Sequence, residues 1–141
     1  NFDAVLYLYQ RSNPLIKNLY YKKIIKKLSF IDMKKTEIIL FKNNLLLEGC
    51  TTNIFCIHNK IIYIPKNNFY KGITMNYLLS KTKRISKKID ISIHELSKFD
   101  EIILVGSGKG VISLQSINKI HWKPKSNLIY KELLNIYNKL V

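Results

Sequence analysis

Apolar positions along the chain follow two rhythms. Between Phe2 and Gln10, Val5, Leu6, Tyr7, Leu8 and Tyr9 crowd into a short run that reads as a strand, and Ser12, Asn13 and Pro14 form the turn that ends it. The spacing then becomes helical. Ile16, Leu19 or Tyr20, Ile24, Leu28 and Ile31 recur every three or four residues while Lys22, Lys23, Lys26 and Lys27 take much of the other side, which predicts an amphipathic helix over residues 16–30. Next come four short apolar or alternating runs, at residues 37–41, 45–47, 53–58 and 61–64. Asn43, Asn44 and Asn59 separate them, predicting an antiparallel meander that Pro65, Asn67 and Asn68 interrupt.

Gly72 precedes a second helical pattern over residues 73–83, with Ile73, Tyr77, Leu78, Thr82 and Ile85 predicted to share one side. A strand is predicted at 89–93, a helical turn at 94–98 and a buried strand at 101–105. Gly106, Ser107, Gly108, Lys109 and Gly110 form a loop whose small residues permit a tight bend, and residues 111–114 resume the sheet. Ile129, Leu133, Ile136 and Leu140 then mark a closing helix, capped by Ser126 or Asn127. Many short strands with a few outer helices predict a single α+β domain around a curled, barrel-like sheet. A chain of 141 residues supports one such core and not two.

Charge changes the picture less than its size suggests. Lys and Arg number 24 against 9 Asp and Glu, a formal net charge of +15, which ordinarily points to an acidic partner. Yet Arg11 and Arg84 are the only arginines, and lysine lacks the planar fork that reads phosphates and bases bidentately. Lys and Asn are also spread nearly everywhere, so no nucleic-acid partner is expected. The basic stretches at 22–27 and 81–88 read as solvated helix faces that could steer an anionic metabolite. No apolar run approaches the roughly 20 residues of a membrane span, so a soluble protein is expected. Cys50 and Cys56 make no secreted disulfide framework, and a reducing, cytoplasmic setting is the default. His58, His94, His121 and the cysteines fit no zinc spacing, and no metal site is expected.

Four places carry candidate chemistry. Lys17 follows Pro14 among Ile16, Leu19 and Tyr20; a desolvated lysine there has a lowered pKa and a nucleophilic amine, although a solvated amine is the plainer reading. Glu48 ends the apolar run Leu45, Leu46, Leu47, where a carboxylate is costly without a partner, unless it faces solvent in a turn. Gly72, Ile73 and Thr74 expose amides at a helix start, and Ser107, Gly108 and Lys109 offer amides and a hydroxyl. Together the two loops could cradle one phosphate, and singly each reads as a tight connection.

The order of these features resembles the branched-chain aminotransferase and aminodeoxychorismate lyase family, the pyridoxal-phosphate enzymes of the D-amino acid aminotransferase fold. The resemblance rests on a lysine before a helix (Lys17), the block Glu48, Gly49, Cys50, Thr51, Thr52, Asn53, Ile54, Phe55, then Pro65 ahead of Gly72, Ile73, Thr74, and finally Gly106, Ser107, Gly108. It implies the C-terminal domain of such an enzyme over residues 13–141, preceded by an interdomain strand or linker at 1–12, with the smaller N-terminal domain absent. It also implies pyridoxal 5′-phosphate as cofactor. Lys17 would bond the cofactor and shuttle the proton, Glu48 would pair with the ring nitrogen, Ile73, Thr74, Ser107 and Gly108 would hold the phosphate, and Thr51 would lie near the cofactor face. The implied reaction is release of pyruvate from 4-amino-4-deoxychorismate to give 4-aminobenzoate for folate synthesis, because Leu19 stands two positions after the lysine as in the lyase and D-amino acid branches. A branched-chain or D-amino acid aminotransferase is the alternative. Relatives form homodimers. Two departures stand out. Met75 replaces the arginine that commonly follows Gly-Ile-Thr, and without the N-terminal domain the 141 residues are expected to be at most weakly active.

Overall fold

In the computed structural model, which describes residues 2–8, 35–66 and 69–140, the apolar runs become strands β1 (Phe2–Leu8), β2 (Thr36–Lys42), β3 (Leu45–Gly49), β4 (Asn53–His58) and β5 (Ile61–Pro65). Helix α1 (Ile73–Lys81), β6 (Ser86–Ile89), a 3-10 helix (Ile93–Lys98), β7 (Glu101–Gly106), β8 (Gly110–Ile117) and helix α2 (Leu128–Leu140) follow. The helix expected at 16–30, and Lys17 with it, lies outside the described residues.

The eight strands form one sheet in the order β3-β2-β1-β8-β7-β4-β5-β6. It is mixed: β1 runs parallel to β2 and β8, and β5 to β6, while the other neighbours are antiparallel. The expected meander is thus two separate hairpins. β3 does not pair with β4, and β2, β1, β8 and β7 stand between them. Each hairpin turns where side chains tolerate the left-handed region, at Asn43 (φ 53°) and Asn44 (φ 62°), and at Asn59 (φ 50°) and Lys60 (φ 63°). The sheet then curls on itself. The amide of Leu46 on edge strand β3 donates to the Ile91 carbonyl (2.8 Å), and the amide of Ile93 donates to the Asn44 carbonyl (2.8 Å), so the segment just after the opposite edge strand, β6, closes against β3.

Strand alternation divides the apolar residues between an interior core, an outer core and a small third cluster of Ile38, Leu40, Leu47 and Cys50. Ala4, Ile39, Leu46, Ile54, Cys56, Ile102, Leu104, Ile112 and Leu114 fill the interior with Leu96, Phe99 and Trp122. Phe55, Ile57, Ile62, Ile103, Val105 and Val111 face outward, against Met75 and Leu78 of α1 and Ile129 and Leu133 of α2. Burying each such side chain contributes about 1.5–3 kcal/mol. Cys56 sits inside the barrel, where burial pushes its thiol pKa far up and leaves it inert. Trp122 is buried and donates from Nε1 to the Phe99 carbonyl (3.0 Å).

Three expectations change. The side of α1 that packs inward carries Thr74, Met75 and Leu78, whereas Ile73 is 81% exposed and Ile85 also faces solvent. The basic stretch 81–88 is not one helix face: α1 stops at Lys81, and Lys87 and Lys88 lie on the exposed edge strand β6. The strand expected at 89–93 is displaced to 86–89 for the same reason, since an edge strand open to solvent on both faces has no apolar alternation to betray it.

Helix α2 is anchored at its start by a buried acid. Glu101, at the beginning of β7, accepts hydrogen bonds from the amides of Ile129 (3.0 Å) and Tyr130 (2.9 Å), while the Ser126 hydroxyl accepts from the Leu128 amide (3.1 Å). A carboxylate at a helix N-terminus satisfies orphan donors and complements the dipole. Arg84 ties α2 to the segment after α1 through Glu132, with Nε at 2.8 Å and Nη2 at 2.5 Å. These hydrogen bonds hold the Glu132 carboxyl below its ordinary range. Near the other end of α2, Tyr137 rests on Gly110, whose φ of +75° suits glycine; a Cβ there would come within 3.2 Å of the ring. Among the described residues no helix is long and apolar enough to cross a membrane.

Candidate functional site

Strand directions bring three connections to one end of the sheet. The carboxyl ends of β3, β5 and β7 lie there with the amino ends of β4 and β8, so the β3–β4 turn, the segment leading from β5 into α1, and the β7–β8 turn meet. Between them is a cleft of about 370 Å³, and Glu48, Thr51, Ile73, Thr74, Ser107 and Gly108 all line it, together with Cys50, Thr52, Asn53, Tyr70, Gly72, Val105 and Gly106. Six of the seven residues singled out from sequence therefore converge on one cavity. The seventh, Lys17, lies outside the described residues.

A β-bulge aims Glu48. Phe41 pairs with Leu46 but Leu40 pairs with Glu48, so Leu47 is an extra residue on β3. Strict alternation would have put Glu48 on the face of Leu46, inside the barrel. The inserted residue instead turns it to the face of Leu40 and into the cleft. Glu48 is only 3% exposed, and its Oε1 accepts from the Tyr70 amide at 3.3 Å. Among the described lining residues it is the sole charged side chain.

Another part of the lining is built of backbone. The ladder of α1 begins with the Asn76 amide donating to the Gly72 carbonyl (3.1 Å), which leaves the amides of Ile73, Thr74 and Met75 ahead of it without intrahelical partners. No side chain caps this end and no acidic residue stands in its first turn. Ser107 and Gly108 face it from the β7–β8 turn, and around Gly108 the space on the side-chain position is open for 4 Å. Helix-terminal amides, glycine-turn amides and a serine hydroxyl make a binding surface for an anion. Met75 is buried in the outer core beneath α1, so this position takes no part in ion pairing.

Two lining elements depend on residues to which the sequence alone assigns no role. Glu37, fully buried on β2, accepts from the Thr51 hydroxyl (2.7 Å), the Thr52 hydroxyl (3.0 Å) and the Thr51 amide (3.2 Å) through Oε2, and from the Ile38 amide (3.0 Å) through Oε1. It therefore holds the β3–β4 turn from beneath. With its proton committed to Glu37, the Thr51 hydroxyl offers the cleft lone pairs rather than a donor. A Cβ at Gly49 would collide with the Thr52 hydroxyl and come 2.9 Å from Glu37 Oε2, so glycine is required where this pair meets. The signal was present: a lone acid inside an apolar strand is costly without partners. Glu37→Ala is expected to destabilise the protein by about 3 kcal/mol, because it strands four donors. Chemical denaturation checks this, and a change below about 0.5 kcal/mol, the size of an ordinary surface substitution, would show that the network contributes nothing.

Asn53 is the second, and its contacts are taken up below. Among the described residues no group of three or more His, Cys, Asp or Glu side chains is placed to hold a metal ion.

The model of the amino-transferase class IV family matches residues 2–117. Among solved structures, the chain superposes on a Legionella pneumophila protein assigned as a 4-amino-4-deoxychorismate lyase with a TM-score of 0.81 at 22% identity, covering 98% of this chain and 55% of that one. It superposes on the 4-amino-4-deoxychorismate lyase of Pseudomonas aeruginosa with a TM-score of 0.76 at 16% identity, covering 95% and 53%. A Thermotoga maritima protein assigned as a branched-chain amino acid aminotransferase gives 0.79 at 17% identity, covering 97% and 54%. At these identities the likeness is one of fold. The chain spans about half the length of the structures it matches.

Proposed function

The chain belongs to the amino-transferase class IV family, and from that premise we propose that it is the cofactor-binding part of a pyridoxal-phosphate-dependent lyase that releases pyruvate from 4-amino-4-deoxychorismate and leaves 4-aminobenzoate. One observation carries the proposal: a single cleft is lined both by a buried carboxylate, Glu48, and by an anion-binding surface of α1 amides and the Ser107–Gly108 turn. The residues fit the cofactor. A volume of about 370 Å³ suits a small heterocycle with a phosphate. The wall that would take the phosphate has amide donors and no acid, and the one charged lining group matches a protonated ring nitrogen.

When bound, the cofactor supplies an electron sink for the carbanion that forms when a substrate C–H is deprotonated. The chain does the rest. Ile73 and Thr74 amides, with the Ser107 hydroxyl and the Gly108 amide, hold the phosphate. Glu48 keeps a proton on the ring nitrogen by placing a negative charge beside it. Lys17 makes the covalent link and moves the proton on the substrate. Thr51, with its hydroxyl proton given to Glu37, accepts a hydrogen bond from a donor on the ligand face. Loss of pyruvate aromatises the remaining ring, which drives the elimination. Leu19, two positions after Lys17, favours the lyase over a branched-chain aminotransferase; an aminotransferase of D-amino acids shares that leucine and stays, with the branched-chain enzyme, as the second reading.

Incubation of the purified full-length protein with pyridoxal phosphate, borohydride reduction and peptide mass spectrometry tests the cofactor site. Label on Lys17 is the expected result, and a folded protein that takes up no cofactor overturns the proposal. Product analysis then decides the reaction: 4-aminobenzoate and pyruvate from aminodeoxychorismate support the lyase, and amino-group exchange with 2-oxo acids supports the aminotransferase.

A further inference from the structure

Asn53 lines the cleft at the start of β4, is 5% exposed, and spends both ends of its carboxamide on one tripeptide. Its Nδ2 donates to the Tyr70 carbonyl (2.6 Å) and its Oδ1 accepts from the Gly72 amide (3.1 Å). The same Tyr70 donates its amide to Glu48 (3.3 Å). The segment that delivers the chain into α1 is thus gripped by Glu48 on one side and Asn53 on the other. Asn53 is itself rigidly placed, because β4 pairs with β7 at Asn53↔Val105.

The grip is matched to a glycine. Gly72 is the residue before the first turn of α1, with φ −71° and ψ 156°, a backbone open to any residue. Its requirement is spatial: a Cβ there would stand 2.6 Å from Asn53 Oδ1. By engaging the Gly72 amide, Asn53 also fixes which donors remain for a ligand, namely those of Ile73, Thr74 and Met75. A neutral amide is the suitable group here. An aspartate of the same shape would lose the donor to Tyr70 and set a negative charge beside the helix end that receives an anion.

We propose that Asn53 is a positioning residue that sets the cleft's affinity for the phosphate of its ligand by holding Tyr70–Gly72 at the start of α1. This rests on the cofactor site proposed above. The test compares dissociation constants for pyridoxal phosphate and for pyridoxal, which lacks the phosphate, with inorganic phosphate as competitor, in the wild type, Asn53→Asp and Gly72→Ala. The second variant disturbs the same contact from the loop side and leaves Asn53 in place. Thermal melts select the variants that fold. In either variant, affinity for pyridoxal phosphate is expected to fall about ten- to a hundred-fold, the worth of one or two charge-assisted hydrogen bonds, while affinity for pyridoxal changes less than about threefold. Equal losses for both ligands, or none, overturn the inference and leave the cofactor site standing. A wild-type protein that binds neither aldehyde overturns the cofactor site and this inference with it.

Discussion

Lys17→Ala is expected to abolish borohydride-fixed labelling and to lower turnover by about four orders of magnitude, while the protein still binds pyridoxal phosphate reversibly. On the proposed reading two functions leave with one amine: the covalent link to the cofactor aldehyde and the base that moves the substrate proton. General acid–base catalysis alone is worth about 10²–10⁴-fold, and loss of the covalent link adds to it. The anion-binding wall and Glu48 are untouched by the change, which is why binding survives. Absorbance titration, reduction and a stopped assay read the three quantities separately. Label that persists on another lysine would remove Lys17 from its assigned role.

Glu48→Gln carries the second large effect. A glutamine has the same shape and keeps an oxygen to accept from the Tyr70 amide, so the fold and the 70–72 segment are expected to hold. The negative charge is lost. Without it the ring nitrogen is no longer kept protonated, the electron sink weakens, and kcat is expected to fall about 10²–10³-fold, the loss typical of one electrostatic group in a water-poor site. KM for substrate and the melting temperature are expected to change little. The effect therefore appears in kcat, and a loss confined to KM would contradict the assigned contact.

Legibility in the sequence followed burial. β2, β4, β5 and β7 were recovered within a residue or two, because strands with one or two covered faces must carry apolar residues in register. The Asn-rich hairpin turns were legible for a local reason, the tolerance of asparagine for positive φ at positions 43, 44 and 59. β6 was misplaced, since Ser86, Lys87 and Lys88 are exposed and bury nothing that could pattern them. Pairing was also beyond local reading. Nothing in residues 37–64 tells that β3 and β4 stand at separate places in the sheet with β2, β1, β8 and β7 between them.

The site shows the same division. Glu48 and the two small-residue loops were found because an acid and glycines interrupt apolar runs. Glu37 and Glu101 stand at the head of apolar runs, next to other polar residues, and each is offset by partners distant in sequence: Thr51 and Thr52 for the first, the amides of Ile129 and Tyr130 for the second. Their partners, and so their roles, become visible only in three dimensions. The bulge at Leu47 is likewise silent in sequence, though it decides which face Glu48 serves.

The contact between Tyr137 and Gly110 has a temporal side. Gly110 closes the turn that carries Ser107 and Gly108, yet the ring that backs it arrives 27 positions later, on the outermost helix. During synthesis the strands emerge first, and the turn that carries Ser107 and Gly108 lacks this support until α2 has left the ribosome and docked. A nascent chain arrested short of Tyr137 would therefore hold most of its sheet and an unfinished end of the cleft.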